Sequence, residues 1–209
     1  MKRYITIILL VLLAQCVAGQ INRYGVPLVR NYATQITGGS EQNWCIAKDK
    51  FGNIYFGNQD RGVIKYDGTK WTPISIRQNP RIYSIESDSN GIVYVGAAYE
   101  FGYIQPGING NPEYISLADR VPVKSDIRFV YSIVVEGSKV QFLGAKVLFT
   151  YDSELDTLYS MDLVRSDLLD AYRLIRIDNR LILTDNIKGL FELKDSSIVQ
   201  LPGGVFSVI

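Results

Sequence analysis

Among its 209 residues the chain has no histidine. That absence excludes Ser-His-Asp and Cys-His nucleophiles, histidine-ligated zinc or iron, and a phosphoaccepting histidine within these residues. An excess of one charge is lacking as well, because 22 Lys+Arg stand against 21 Asp+Glu. Without a basic surplus there is no electrostatic footprint for nucleic acid or an anionic membrane surface. No P-loop, G-x-S-x-G elbow or Cys-x-x-Cys occurs, so nucleotide, hydrolase and zinc readings have no motif to stand on. No N-x-[ST] sequon is present, and no apolar run reaches the ~20 residues that a membrane-spanning helix requires.

What is present begins with an export signal. Lys2 and Arg3 precede the apolar run Ile5 to Leu13, and Val17-Ala18-Gly19 provides small residues before Gln20. This order is that of a secretory signal peptide over residues 1–19, and it predicts an exported, periplasmic chain. Two alternatives are weaker. A transmembrane anchor would need a longer run, and lipidation of Cys16 would need a small residue where Gln15 stands. Once residues 1–19 are removed, Cys45 is the remaining cysteine, so no internal disulfide can form. Its neighbours Trp44 and Ile46 make it a buried structural thiol. Residues 20–42 form an N-terminal lead-in.

Self-comparison organises the rest. Trp44-x-Ile46-x-x-Asp49-x-x-Gly52-x-x-Tyr55-x-Gly57 recurs as Tyr83-x-Ile85-x-x-Asp88-x-x-Gly91-x-x-Tyr94-x-Gly96 at one constant offset. A third copy runs from Tyr131-Ser132-Ile133 through a shortened Glu136-Gly137 turn to Gly144, which is aligned with Gly96. The fourth runs from Tyr172-Arg173-Leu174 through Asp178-Asn179 to Thr184, aligned with Gly144. Each copy divides into four short alternating or apolar runs separated by Gly, Asn and Asp, as antiparallel strands and tight turns require. Four strands per about 40 residues is the arithmetic of a β-propeller blade.

The expected fold is therefore all-β, a propeller of four-stranded antiparallel blades at residues 43–80, 81–120, 127–162 and 170–202. The segment 204–209 supplies the first strand of a fifth blade. A propeller closes into a ring with typically 4–8 blades. An unpartnered fifth-blade strand thus predicts an incomplete ring and a chain that is a fragment. Met161–Tyr172 is the one helix-like stretch, read as a connection between blades.

The residues Ile46 to Gly57, followed by Gly62-Val63-Ile64-Lys65-Tyr66-Asp67-Gly68, resemble the two-component regulator propeller repeat, with Phe101 to Pro106 and Tyr114 to Leu117 like a second blade of such proteins. The likeness spans about residues 22–209 and is strongest over 43–117; blades three and four lack the Asp-x-x-Gly turn. It implies the periplasmic sensor region of a Bacteroidetes-type signal-transduction protein. In that family a triple-tyrosine domain, a membrane helix and an output module such as a kinase, cyclase or DNA-binding unit follow the propeller. None of these lies within this chain, so no family signalling residue transfers to it.

No constellation singles out catalysis. Glu86-x-Asp88-x-Asn90-Gly91 imitates the first half of a calcium loop, but Ala97 stands where the bidentate glutamate belongs, and its counterpart Asp49-Lys50-Phe51-Gly52 at the same position of blade one points to a turn. The expectation is accordingly a noncatalytic ligand-sensing propeller with no cofactor and no metal. Its ligand is extracellular, a glycan being one candidate, nucleic acid is excluded, and a homodimer is an open option. In a four-stranded meander the loops joining strands two and three share a face with the blade-to-blade connections. That face carries the candidate ligand-binding residues Asn58, Gln59, Asp60, Arg61, Tyr99, Glu100, Asp185 and Asn186. Two rivals remain: an exported propeller that binds or scaffolds carbohydrate or protein without signalling, and a carboxylate-dependent propeller hydrolase or lyase, for which Glu100 is a candidate acid.

Overall fold

The computed structural model describes residues 29–121, 127–163, 171–194 and 197–203. The proposed signal peptide and the segment 204–209 lie outside the described residues. A short helix, α1 (Thr34–Thr37), precedes sixteen strands. Blade one comprises β1 (Asn43–Lys48), β2 (Ile54–Asn58), β3 (Val63–Tyr66) and β4 (Trp71–Ile74). Blade two comprises β5 (Ile82–Ser87), β6 (Val93–Ala97), β7 (Phe101–Pro106) and β8 (Pro112–Ser116). Blade three comprises β9 (Val130–Glu136), β10 (Lys139–Gly144), β11 (Val147–Asp152) and β12 (Thr157–Asp162). Blade four comprises β13 (Ala171–Ile177), β14 (Arg180–Asp185), β15 (Gly189–Lys194) and β16 (Ser197–Gln200).

Each blade is a separate four-stranded antiparallel sheet in simple meander order, as the repeat predicts. The first strands β1, β5, β9 and β13 are innermost and pack in sequence, each against the next. No comparable packing joins β13 back to β1 among the described residues, so the blades form an open arc. Apolar side chains remain exposed on the end blades, Ile46 on β1 at 63% and Val199 on β16 at 53%.

Local chemistry explains the hairpins. Asp49 Oδ1 accepts the backbone N–H groups of Phe51 and Asn53, both at 2.9 Å, and its Oδ2 accepts the Tyr55 hydroxyl at 3.2 Å. Asp88 repeats this with Asn90, Ile92 and the Tyr94 hydroxyl. The glycine of the motif takes φ near +90° in both turns, a left-handed conformation that costs other residues a steric penalty. The carboxylates imitating a calcium loop are thus engaged by their own hairpins.

Burial works against the charge of Asp49, but the donors from Asn53, Tyr55 and Phe51 outweigh it and hold its pKa below the ordinary value. In the β3–β4 turn, Asp67 accepts from the backbone of Lys70, then from the hydroxyl and backbone of Thr69, and these bonds pull its pKa to about 2. A depressed carboxylate pKa adds stability that is present above the unfolded-state value and lost as pH falls through the folded one. The urea midpoint should accordingly be flat above ~pH 5 and fall progressively between ~pH 4 and ~pH 2. A midpoint unchanged down to ~pH 2 would exclude these turns as acid-labile stabilisers.

Three apolar clusters fill the spaces between successive blades. Tyr55, Val63, Ile82 and Val95 belong to the first, Phe101, Val130, Phe142 and Phe149 to the second, and Leu143, Leu148, Leu174 and Leu183 to the third. Cys45 packs into the first, half-buried, with its Sγ 3.9 Å from the Ile82 carbonyl. Burial pushes its thiol pKa up to about 12, which suits an inert structural role. Tyr32 packs edge-on against Trp71 of blade one at 5.1 Å, and its hydroxyl meets the Tyr66 hydroxyl at 3.1 Å.

Two sequence expectations need correction. In register, Gly57 pairs with Cys45, Gly96 with Ser84, Leu143 with Ser132 and Thr184 with Arg173. Leu143, rather than Gly144, therefore takes the place of Gly96, because the shortened turn of blade three moves the pairing by one residue. The second concerns Met161–Tyr172. Met161 and Asp162 end strand β12, while Ala171 and Tyr172 begin β13, so the ends of this stretch are extended; residues 164–170 lie outside the described residues.

Candidate functional site

Every innermost strand carries a β-bulge near its start. The pairing skips one residue between Asn43 and Cys45, between Ile82 and Ser84, between Val130 and Ser132, and between Ala171 and Arg173. The residue left unpaired is Trp44, Tyr83, Tyr131 or Tyr172, an aromatic in all four blades. A bulge re-aims the side chain it carries and interrupts the ladder. Here the same re-aiming recurs at the end of the inner strands where the blade-to-blade connections arrive.

The re-aimed rings touch in order around the arc. Centroid separations are 6.2 Å for Trp44–Tyr83, 5.3 Å for Tyr83–Tyr131 and 6.0 Å for Tyr131–Tyr172. Phe129 braces the middle of the row at 5.6 Å from Tyr83 and 5.7 Å from Tyr131. The Arg81 guanidinium lies 5.2 Å from the centre of the Trp44 ring and 6.0 Å from that of Tyr83, a cation–π arrangement. The row is accessible: Trp44 is 46% exposed and Tyr172 53%. Tilted and edge-on pairs of this kind each contribute roughly 0.5–1.5 kcal/mol beyond area burial, which holds the rings in place as a platform.

The candidate residues read from sequence fall in three separate loops with different surroundings. Tyr99 joins the row: its ring is 68% exposed and lies 5.8 Å from Phe129, on a backbone with φ +60°. Asp60, Arg61 and Asn186 are exposed, and Gln59 is half-buried. The other three serve the scaffold. Asn58 is fully buried; its Oδ1 accepts the Ser40 hydroxyl at 2.7 Å and its Nδ2 donates to the Ser40 and Gln42 carbonyls, tying the lead-in to blade one. Asp185, also fully buried, accepts the backbone N–H groups of Ile187 and Lys188. Glu100 is 4% exposed and accepts from the Phe101 N–H, the Ser116 hydroxyl and the Tyr114 hydroxyl, with Arg77 at 3.4 Å. Burial, reinforced by the Glu100 charge, raises the pKa of Tyr114.

Trp44, Tyr83, Tyr131 and Tyr172 were visible in the sequence as the opening residue of each repeat. The four form one surface because of the bulge, and a bulge depends on the partner strand as much as on its own. The opposite end of the inner strands opens into a cavity of about 520 Å³ walled by Glu86, Asp88, Val134 and Arg176, where Arg176 pairs with Glu136 at 2.8 Å.

No protein-family model matches the chain, and no curated protein matches it significantly. Solved structures do. The extracellular domain of BT4673 from B. thetaiotaomicron, assigned to a one-component system, superposes with a TM-score of 0.61 at 23% identity, over 81% of this chain and 23% of that one. PorZ, a surface component of the type-IX secretion system of Porphyromonas gingivalis, gives 0.62 at 15% identity, over 86% and 30%. Virginiamycin B lyase from Staphylococcus aureus gives 0.60 at 14% identity, over 77% and 56%. The chain thus spans less than a quarter of BT4673's extracellular domain. At these identities the likeness concerns architecture, and the described residues form an open arc of four β-propeller blades.

Proposed function

We propose that the chain is the ligand-sensing propeller of an exported bacterial signal-transduction protein, noncatalytic itself, with the output module outside these residues. The observation that carries this reading is the row of four bulged aromatics. A bulge repeated in every blade, with an aromatic re-aimed each time and left half-exposed, is what a recognition platform needs and more than blade packing requires. Superposition on the extracellular domain of a bacterial signalling protein supports the same direction. The chemistry of the platform suits ligands that stack on rings while meeting a guanidinium, which includes extracellular glycans with acidic groups. The carboxylate nominated for hydrolysis, Glu100, is engaged by three donors and an arginine, an arrangement suited to holding a loop.

The test is a titration of neutral and acidic oligosaccharides and short peptides against the full chain, read by tryptophan emission and by product analysis. Saturable quenching without turnover is expected for at least one ligand. Turnover of any bound ligand would overturn the noncatalytic reading, and no saturable ligand in any class would count against sensing.

A further inference from the structure

The first two blades close the groove toward their successor with a tyrosine. Tyr55 and Tyr94 hold equivalent positions on the second strands, opposite Ala47 and Glu86, and each hydroxyl bonds the turn aspartate at 3.2 Å. Beside Tyr55 the remaining cavity is only about 80 Å³. In blade three the same position, opposite Val134, belongs to Gln141. The turn that carried the aspartate is reduced there to Gly137 and Ser138.

A groove of about 590 Å³ lies between blades three and four, on the side that Gln141 faces. Leu148, Met161, Leu181 and Leu193 form its apolar wall, and the rest of the lining is polar or charged, including Glu136, Lys139, Gln141 and Tyr159. Gln141 is 8% exposed, and its Oε1 is buried with no hydrogen-bond partner. A buried carbonyl without a donor is a debt that a ligand can settle. The terminal torsion of a glutamine is broad, so the acceptor can turn toward the groove without leaving a rotamer well. The contact between the inner strands is offset as well. Ser84 Oγ donates to the carbonyl of Val130, the residue before the bulge, whereas Ser132 Oγ donates to that of Leu174, three residues beyond the corresponding Ala171.

We infer that this groove binds a small phenol, whose ring takes the place of the missing tyrosine and whose hydroxyl donates to Gln141 Oε1. The site is separate from the aromatic row and does not depend on its role. Its volume lies within the range of small-molecule pockets.

The probe is p-cresol, titrated against the full chain with ¹³C-methyl methionine NMR; Met161 is one of two methionines in the sequence and sits in the groove wall. A saturable shift of the Met161 methyl is expected, with toluene, which lacks the hydroxyl, binding at least ten-fold more weakly. Gln141→Tyr should abolish the shift by refilling the groove, and Leu181→Phe should do so from the blade-four side should the first variant fail to fold. Gln141→Leu should remove the preference for p-cresol over toluene. An absent or non-saturating shift in the unmodified chain, equal binding of toluene, or a shift retained in folded Gln141→Tyr or Leu181→Phe overturns the assignment.

Discussion

Replacing Glu100 by alanine is expected to destabilise the chain by about 3 kcal/mol, since a buried donor stripped of its acceptor costs ~1–3 kcal/mol and several lose theirs together. The carboxylate sits where the β6–β7 connection turns into blade two, and its Oε1 gathers the Phe101 N–H at 2.9 Å, the Ser116 hydroxyl at 2.8 Å and the Tyr114 hydroxyl at 3.2 Å. These donors join the start of β7 to the end of β8. Arg77, which bridges Glu100 and Asp119, is 60% exposed and can return to water, so its ion pair adds little. Glu100→Gln keeps one acceptor oxygen and should lose less. Equilibrium urea unfolding of both variants decides the matter: a loss of under ~0.5 kcal/mol for Glu100→Ala would mean that water replaces the carboxylate and that the loop is held by other contacts.

A comparable loss, about 3 kcal/mol or more, is expected for Gly96→Leu, because overpacking a close blade contact adds strain to the displaced core. A Cβ on Gly96 would meet the Ser84 hydroxyl, lie 2.6 Å from Val130 Cγ1 and lie 2.8 Å from the Val130 carbonyl. The Ser84 hydroxyl and the Val130 carbonyl are donor and acceptor of the hydrogen bond, 3.0 Å long, that joins blade two to blade three. Blade three carries a leucine at the equivalent position, Leu143, and there the serine reaches Leu174 instead. A side chain at this position is thus compatible with a blade contact of another offset. Installed in blade two, it has to displace an interface in which Ile82, Val95 and Val130 are fully buried. A variant as stable as the parent would show that the contact slides freely, and that the offset between blades three and four has another origin.

The blade architecture was legible because each strand alternates and each hairpin spends recognisable residues. Asp49 and Asp88 announce their turns through the glycine that follows, and Tyr55 and Tyr94 complete the same hydrogen-bonded unit. Register was less legible where that unit is missing: once Glu136 and Gly137 replace the aspartate turn, two adjacent residues, Leu143 and Gly144, compete for one position, and the glycine is the misleading choice. Polar residues in loops posed a different difficulty. Asn58 and Asp185 are typical loop residues by composition, but backbone N–H and C=O groups that would otherwise be buried unpaired draw them inward. Residue type alone does not distinguish an amide facing solvent from one closing a turn. The open groove at Gln141 was hidden for a related reason, since its significance lies in the tyrosine that the other blades place there.

The central claim is that the bulged aromatics form the recognition surface of this propeller. Its most direct test is isothermal titration of whichever ligand quenches tryptophan emission, comparing the unmodified chain with Trp44→Ala and Tyr172→Ala, the two exposed ends of the row. Binding should weaken roughly two- to twelve-fold in each variant while circular dichroism and the urea midpoint stay near those of the parent, because stacking on one ring supplies roughly 0.5–1.5 kcal/mol and both rings are largely free of core contacts. Unchanged affinity in both folded variants would contradict the account and place recognition elsewhere on the arc.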